Sequence, residues 1–103
     1  MSIQHISEAE FETEVETVQE TVLLDFFADW CGPCRMLAPV LEAFAEAHPE
    51  VKVCKINVDE EAQLAAIHGI VSIPTLIVYR NGAETARTVG LSTKEEIEAL
   101  IAQ

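Results

Sequence analysis

The run Val22–Ala28 is nearly continuous in apolar residues and is interrupted only by Asp25. A strand that is apolar on both faces has to be covered on both sides, as the buried strands of α/β sheets are. This requirement constrains the fold more than any other feature, because a sheet with one face in water would leave half of the run exposed. The sequence therefore predicts a central sheet with helices packed on both faces.

Helix and strand patterns alternate along the rest of the chain. Ser7 and Glu10 form a capping box, Pro39 is expected to kink the second helix, Asp59 is a candidate cap for the third, and Asn81-Gly82 is a strong hairpin signal. In chain order the predicted elements are an edge strand over 3–6, a helix over 8–18, a strand over 22–28, a helix over 33–47, a strand over 51–58, a short helix from Asp59 to Gly69, strands over 75–79 and 83–89, and a final helix opened by Ser92 or Thr93.

This order, β-α-β-α-β-α-β-β-α, predicts a three-layer α/β fold whose strands pair in parallel in the first half and end in an antiparallel hairpin. We expect a single domain over residues 1–103, because 103 residues leave no room for a second core of ordinary size. The parallel order also places the functional site at a carboxyl end of the sheet, where the 22–28 strand meets the next helix.

The charge balance limits the partners of this chain. Eighteen acidic residues against six basic ones give a net charge of −12, which repels nucleic acid and anionic membrane surfaces. The longest apolar stretch, Gly69–Tyr79, is too short and too interrupted to span a membrane. The first ten residues show no signal-peptide pattern, so we expect a cytoplasmic protein.

Two of the three cysteines form the motif Cys31-Gly32-Pro33-Cys34, at the predicted start of a helix. Cysteines spaced i and i+3 lie close enough to form a disulfide with little refolding. The helix N-terminus should stabilise a Cys31 thiolate and lower the pKa of that thiol. We expect Cys34 to be more buried and to attack a mixed disulfide formed on Cys31. Pro33 stiffens the loop without removing a needed N–H group.

Other interpretations of the cysteines are weaker. Three cysteines are too few for the disulfide framework of a secreted domain. Cys34 and His48 have a finger-like spacing, but the second histidine that a zinc site would require is absent, so we expect no metal. Cys54 lies in an apolar strand and is most simply a small buried hydrophobic residue.

Asp25 and Lys55 are charged residues inside otherwise apolar strands. Burial of a carboxyl group is costly unless it is neutral or paired, so the pKa of Asp25 should be raised. The alternative is that Asp25 reaches solvent at the strand end. Lys55 could equally be a surface lysine whose stem alone is buried.

Three features together resemble the thioredoxin family over essentially the whole chain. They are the pentapeptide WCGPC after an apolar strand that contains an aspartate, the tripeptide Ile73-Pro74-Thr75 before a strand, and the Asn-Gly hairpin. The resemblance implies a thioredoxin-like three-layer fold, with a mixed sheet of about five strands flanked by four helices. Phe27 and Val71-Ser72 depart from residues common in the family, which bears on partner preference and leaves the redox chemistry intact.

The resemblance also implies roles for individual residues. Asp25 would exchange a proton with Cys34, Lys55 would lie near Asp25 across the sheet, and Pro74 would be a cis-proline that faces the cysteines. The implied docking patch for substrates is apolar, although from sequence alone most of its members could equally serve ordinary core or turn packing. It comprises Trp30, Gly32, Pro33, Val58, Ile73, Val89 and Gly90.

The sequence thus predicts a protein-disulfide reductase that works through a reversible Cys31–Cys34 dithiol and disulfide cycle. By resemblance, a flavin-dependent, NADPH-using thioredoxin reductase regenerates the dithiol, the substrates are disulfides of other proteins, and no bound cofactor is required. Two alternatives stay open at this point. One is an oxidase or isomerase, which the Gly-Pro between the cysteines disfavours, and the other is a binding module that docks a partner without turnover.

Overall fold

A computed structural model of the chain describes residues 3–103. The strands are β1 (Gln4–His5), β2 (Thr21–Phe27), β3 (Val51–Asn57), β4 (Thr75–Arg80) and β5 (Ala83–Val89). The helices are α1 (Glu8–Phe11), which continues as a π-helical turn (Glu12–Glu16), α2 (Gly32–Ala47), α3 (Ala62–Ile67) and α4 (Lys94–Ile101). Within residues 3–103, none of the helices has the length and apolar character needed to cross a membrane.

The five strands form one mixed sheet in the order β1-β3-β2-β4-β5. Strands β1, β3 and β2 pair in parallel, whereas β4 pairs antiparallel with both β2 and β5. The predicted three-layer α/β fold, with its parallel first half and closing hairpin, is therefore confirmed. The hairpin also follows the prediction in detail, because Asn81 and Gly82 both have positive φ, at 51° and 80°.

Strand β2 is buried on both faces and joins two separate cores. Val22, Leu24 and Phe26 pack in the core on the side of α1 and α3, where they meet side chains such as Phe11. Leu23 points to the other side and packs in the core beneath α2 and α4. The apolar run Val22–Ala28 thus contributes side chains to both cores.

Two details of the helices differ from the prediction. The first helix ends at Glu16 rather than near residue 18, because its last turn is π-helical and the Thr17 N–H donates to the Glu12 carbonyl at 3.0 Å. Asp59 does not cap α3: the Asn57 side-chain oxygen accepts the N–H groups of Asp59 and Glu60, at 2.9 and 3.2 Å, and the helix begins later. Helix α2 runs without interruption through Pro39.

The tip of the hairpin packs closely against the end of the π-helical turn. A Cβ atom at Gly82 would lie 2.5 Å from the Glu16 carbonyl oxygen, whereas a Cβ at Gly69, which also has positive φ, would meet nothing within 4 Å. Gly82 is therefore required both for its backbone conformation and for the close approach of the chain at Glu16.

We predict that Gly82→Ala lowers the free energy of unfolding more than Gly69→Ala does. Gly69→Ala should cost about 1 kcal/mol, since it forces only a left-handed backbone on alanine. Gly82→Ala should cost about 2–4 kcal/mol, because the hairpin must also move away from Glu16. Urea denaturation of the two variants measures the difference, and equal losses would show that the contact with Glu16 is relieved at no cost.

Candidate redox site

The two cysteines lie where β2 ends and α2 begins. Cys31 is the N-cap of α2, and its backbone carbonyl accepts the Arg35 N–H at 3.1 Å. The Cys34 N–H points back at the Cys31 sulfur, with a distance of 3.2 Å between nitrogen and Sγ. One of the free N–H groups at the start of this 16-residue helix therefore points at the Cys31 sulfur, which is an arrangement that favours a thiolate.

Cys31 and Cys34 form a disulfide, with their Cα atoms 5.2 Å apart. Both cysteines are buried in this disulfide form, with exposed fractions of 4% for Cys31 and 3% for Cys34, so the expected difference in burial is small here. Both cysteines pack with Phe27 and Ala28, and the partly buried Val58 and Ile73 complete this small cluster.

A loop with a cis-proline lies beside Cys31. The Ile73–Pro74 peptide bond is cis, and the Ile73 carbonyl oxygen lies 3.8 Å from the Cys31 Sγ. The Pro74 carbonyl accepts the Gly90 N–H at 2.8 Å, which ties the loop to the end of β5. The structure thus brings the cysteines, the Ile73–Pro74 loop and the Val89–Gly90 segment together at one end of the sheet.

The surface around this end of the sheet is apolar. The Trp30 side chain is 68% exposed, Val71 and Val89 are also exposed, and Pro74 itself is buried. The Trp30 indole N–H donates to the Asp59 carboxylate at 2.9 Å. Sequence reasoning missed this contact because it assigned Asp59 to the cap of α3, whereas the N-cap residue of that helix is Glu61.

Asp25 is fully buried on the α2 side of the sheet, next to Lys55 on β3. The Lys55 Nζ lies 3.9 Å from the Asp25 Oδ2, beyond hydrogen-bond distance, and neither carboxyl oxygen has a hydrogen-bond partner within residues 3–103. Burial raises the pKa of the Asp25 carboxyl to about 6, and the nearby Lys55 ammonium opposes this rise only in part. The alternative that Asp25 reaches solvent at a strand end is excluded by its burial.

A cleft of about 150 Å³ lies beside Cys34 and reaches Lys55, while Asp25 lies buried behind it. Both Cys34 and Lys55 line it, together with Ala38 and the β2–α2 loop. The Lys55 Nζ also lies 4.4 Å from the centre of the Phe27 ring, which holds the ammonium over an aromatic face. The cleft is large enough to hold water beside Cys34 and Lys55.

The other cysteine interpretations can now be tested. Cys34 and His48 lie at opposite ends of α2, about 20 Å apart at 1.5 Å per residue, so they cannot bind the same metal ion. No group of three or more potential metal ligands occurs in the part of the chain that the structure describes. Cys54 is fully buried in the core on the other face of the sheet, and burial raises the pKa of its thiol to about 11.

A mixed sheet between helix layers, with a disulfide at a helix N-terminus beside a cis-proline, defines a thiol-disulfide oxidoreductase. A family model described as Thioredoxin matches residues 2–103. The chain therefore belongs to the thioredoxin family.

Similar proteins carry the same name. The chain is 47% identical to "Thioredoxin" of Alicyclobacillus acidocaldarius over 94% of this chain and 92% of that protein. It is 54% identical to "Thioredoxin" of Chlamydia pneumoniae over 78% of each chain, and 41% identical to that of Porphyra purpurea over 98% and 95%. The protein is accordingly a protein-disulfide oxidoreductase that works through the Cys31–Cys34 pair, with disulfide-containing substrates and a reductase as partners in general.

We predict that Asp25→Ala stabilises the oxidised protein at neutral pH. One pKa unit corresponds to about 1.4 kcal/mol, so a rise from 3.8 to about 6 makes ionisation in the folded state cost about 3 kcal/mol. Because the folded pKa is raised, this cost is absent below the unfolded value near 4, grows up to about pH 6 and is constant above about pH 7. Part of the gain is offset by the small cavity that alanine leaves.

Urea denaturation between about pH 4 and pH 8 measures this effect as the difference in unfolding free energy between variant and wild type. The difference should increase with pH by about 2–3 kcal/mol. Asp29→Ala, which removes an exposed carboxyl group from the adjacent loop, is the control and should show no such increase. A pH-independent difference for Asp25→Ala would mean that the buried carboxyl titrates as it does in the unfolded chain.

Proposed function

We propose that residues 1–103 act as one monomeric, cytoplasmic electron-carrying domain that reduces protein disulfides and is reduced in turn by a flavin-dependent, NADPH-using thioredoxin reductase. The observation that carries this proposal is the Cys34 N–H pointed at the Cys31 Sγ at the start of α2. Such a site stabilises the thiolate needed to attack a disulfide. The pair itself stores the two electrons, so no bound cofactor is needed.

In the first step, the Cys31 thiolate attacks one sulfur of a substrate disulfide. A bond forms between Cys31 and that sulfur, the substrate disulfide breaks, and the other substrate sulfur leaves as a thiolate that takes up a proton. Cys31 suits this role because the helix N-terminus stabilises its anion and because it directly follows the exposed Trp30 in the chain. Gly32 leaves open space at the next position, and Pro33 stiffens the turn.

In the second step, Cys34 releases the substrate. Its thiol loses a proton, the thiolate attacks the Cys31 sulfur of the mixed disulfide, and the second substrate sulfur leaves as a thiolate. The Cys31–Cys34 disulfide is restored, and two electrons have passed from the dithiol to the substrate. The short Cα separation of 5.2 Å lets this bond form without refolding of α2.

Asp25 is the proposed acceptor for the proton of Cys34. A general base works efficiently when its pKa is close to the working pH, and burial raises the pKa of the Asp25 carboxyl to about 6. The cleft that Cys34 shares with Lys55 provides the route for water, and the Lys55 ammonium 3.9 Å from the carboxylate favours its charged form. Lys55 is thus a positioning residue that supports Asp25 rather than one that touches the reacting sulfurs.

Substrates are proposed to dock on the apolar surface that surrounds the disulfide. The Ile73–Pro74 loop lies against Cys31, and the missing N–H of Pro74 leaves an edge on which an extended chain can pair. Exposed apolar side chains on either side of this loop would hold the substrate by burial. The proposed docking residues are Trp30, Gly32, Pro33, Ile73, Pro74, Val89 and Gly90.

The charge of the protein supports the monomeric state and its choice of partners. A net charge of −12 on 103 residues makes two copies repel each other, and it also disfavours nucleic acid and anionic membranes. The oxidase and isomerase alternative differs in redox potential rather than in architecture. The Gly-Pro dipeptide between the cysteines favours the reducing direction.

We predict that Cys34→Ser halts the cycle at the mixed disulfide. The variant keeps the Cys31 nucleophile but has no thiol to release the substrate, so adducts with cellular proteins should accumulate and be released by dithiothreitol. Adducts are measured by non-reducing electrophoresis after purification of the variant from cells.

Single-cysteine variants distinguish the roles of Cys31, Cys34 and Cys54. Cys31→Ser should form no such adducts, and neither single variant should reduce insulin with dithiothreitol as the electron source. Cys54→Ser should behave as the wild type in both assays, because Cys54 is buried on the opposite face of the sheet. Adducts on Cys34 in the Cys31→Ser variant would reverse the assigned roles of the two cysteines.

A further inference from the structure

A groove of about 430 Å³ lies on the α1 and α3 side of the sheet, away from the redox site. It shares no lining residue with the cleft beside Cys34. Tyr79 and Glu84 line it at the hairpin end of β4 and β5, whereas the cis-proline loop joins the opposite end of β4. A molecule in this groove would therefore leave the Cys31–Cys34 pair accessible.

The floor of the groove is apolar and its polar atoms are already paired. Phe11, Leu64, Ile67 and Tyr79 supply the apolar lining, and the Ile67 side chain is 66% exposed. The His68 Nδ1–H donates a hydrogen bond to the Leu64 carbonyl oxygen at 2.9 Å. The His68 Nε2 accepts a hydrogen bond from the Tyr79 hydroxyl at 3.0 Å. The floor thus offers apolar and aromatic surface without unpaired hydrogen-bonding groups on these two side chains.

One rim of the groove carries a row of carboxylates. Glu8, Glu12 and Glu16 recur at every fourth position along α1 and the π-helical turn, and all three line the groove. None of them forms an ion pair with any residue in the described range 3–103. Like charges four residues apart on a helix repel each other, and no ion pair within the described residues relieves this repulsion.

The opposite rim does not neutralise that row. Arg87 is the only lysine or arginine among the lining residues of the groove, and it binds Glu84 through two hydrogen bonds of 2.7 and 2.8 Å. A guanidinium held in this bidentate way is already matched to a carboxylate. The groove therefore combines an apolar floor with excess negative charge.

We propose that this groove binds a basic amphipathic helical segment of a partner protein. Apolar side chains of the segment would cover the exposed Ile67, while lysine or arginine side chains spaced one turn apart would meet Glu8, Glu12 and Glu16. Charge complementarity selects this occupant, because a second copy of the chain, nucleic acid and anionic lipid all carry the same sign of charge as the rim. The groove then provides a second, non-redox contact that holds a partner during turnover.

The probe is the synthetic peptide acetyl-KLLKKLLKKLLK-amide, added to the oxidised protein labelled with ¹⁵N. Amide chemical shifts locate the bound peptide and give its dissociation constant. We expect saturable shifts at Ile67, His68 and Tyr79, and no binding of the analogue in which every lysine is replaced by glutamate. Shifts that centre on Trp30 and Val89 instead would place the peptide at the redox site and overturn the proposal.

Matched variants distinguish the contribution of the groove residues to peptide binding from the contribution of the protein's net charge. Glu12→Gln combined with Glu16→Gln should raise the dissociation constant about 5- to 10-fold, and Ile67→Ser should also raise it. Glu42→Gln combined with Glu46→Gln removes the same charge, at the same spacing, from α2 on the opposite side of the sheet, and should change the constant by less than about twofold. Equal weakening by both pairs would mean that only net charge attracts the peptide.

Insulin reduction serves as a second control and should be unchanged in all of these variants. If only the variant with both Glu12→Gln and Glu16→Gln lost activity, the groove would not be separate from the redox site.

Discussion

The burial of β2 on both faces is the constraint on which the rest of the structure depends. Its side chains alternate between two cores, so helices have to cover the sheet on both sides and the neighbouring strands have to be added on both edges. The chain leaves β2 at the carboxyl end of the parallel strands and enters α2 after a four-residue loop. That connection places the positive end of a 16-residue helix beside the most buried strand, and Cys31 is located there as the N-cap. The position of the reactive disulfide therefore follows from the packing of the sheet.

The same burial gives Asp25 its chemical character. A carboxyl group with no hydrogen-bond partner in residues 3–103, and with an ammonium group 3.9 Å away, is stable as an acid at a pH where exposed aspartates are ionised. Ionisation of this buried carboxyl group opposes folding at neutral pH. The proposed role as proton acceptor for Cys34 gives a chemical reason for its presence, because such a base has to be near the disulfide and shielded from solvent, and a position on β2 meets both requirements.

Much of this arrangement could be predicted from the sequence, because local patterns are strong where burial or backbone conformation leaves few choices. The apolar run of β2, the Asn81-Gly82 turn and the helix-opening cysteine pair are of this kind. Contacts between distant segments could not be predicted in the same way. The hydrogen bond between Trp30 and Asp59 joins residues 29 positions apart in the chain, and the π-helical end of α1 depends on one hydrogen bond from Thr17. Cys31 and Cys34 are both buried because Phe27, Val58 and Ile73 pack around them. The spacing of the two cysteines in the sequence does not predict this packing. The cis form of Pro74 and the proximity of Lys55 to Asp25 were implied only by resemblance to the family.

The central claim is that burial in β2 holds Asp25 as a weak acid that titrates near neutral pH. The most direct measurement is an NMR titration of the ¹³C-labelled Asp25 carboxyl carbon in the oxidised protein, with Lys55→Met as the comparison. We expect a midpoint near pH 6 in the wild type and a higher midpoint in Lys55→Met, because the methionine removes the charge that favours the carboxylate while keeping an apolar stem over Phe27. A wild-type midpoint near pH 4, the ordinary value for aspartate, would contradict the claim.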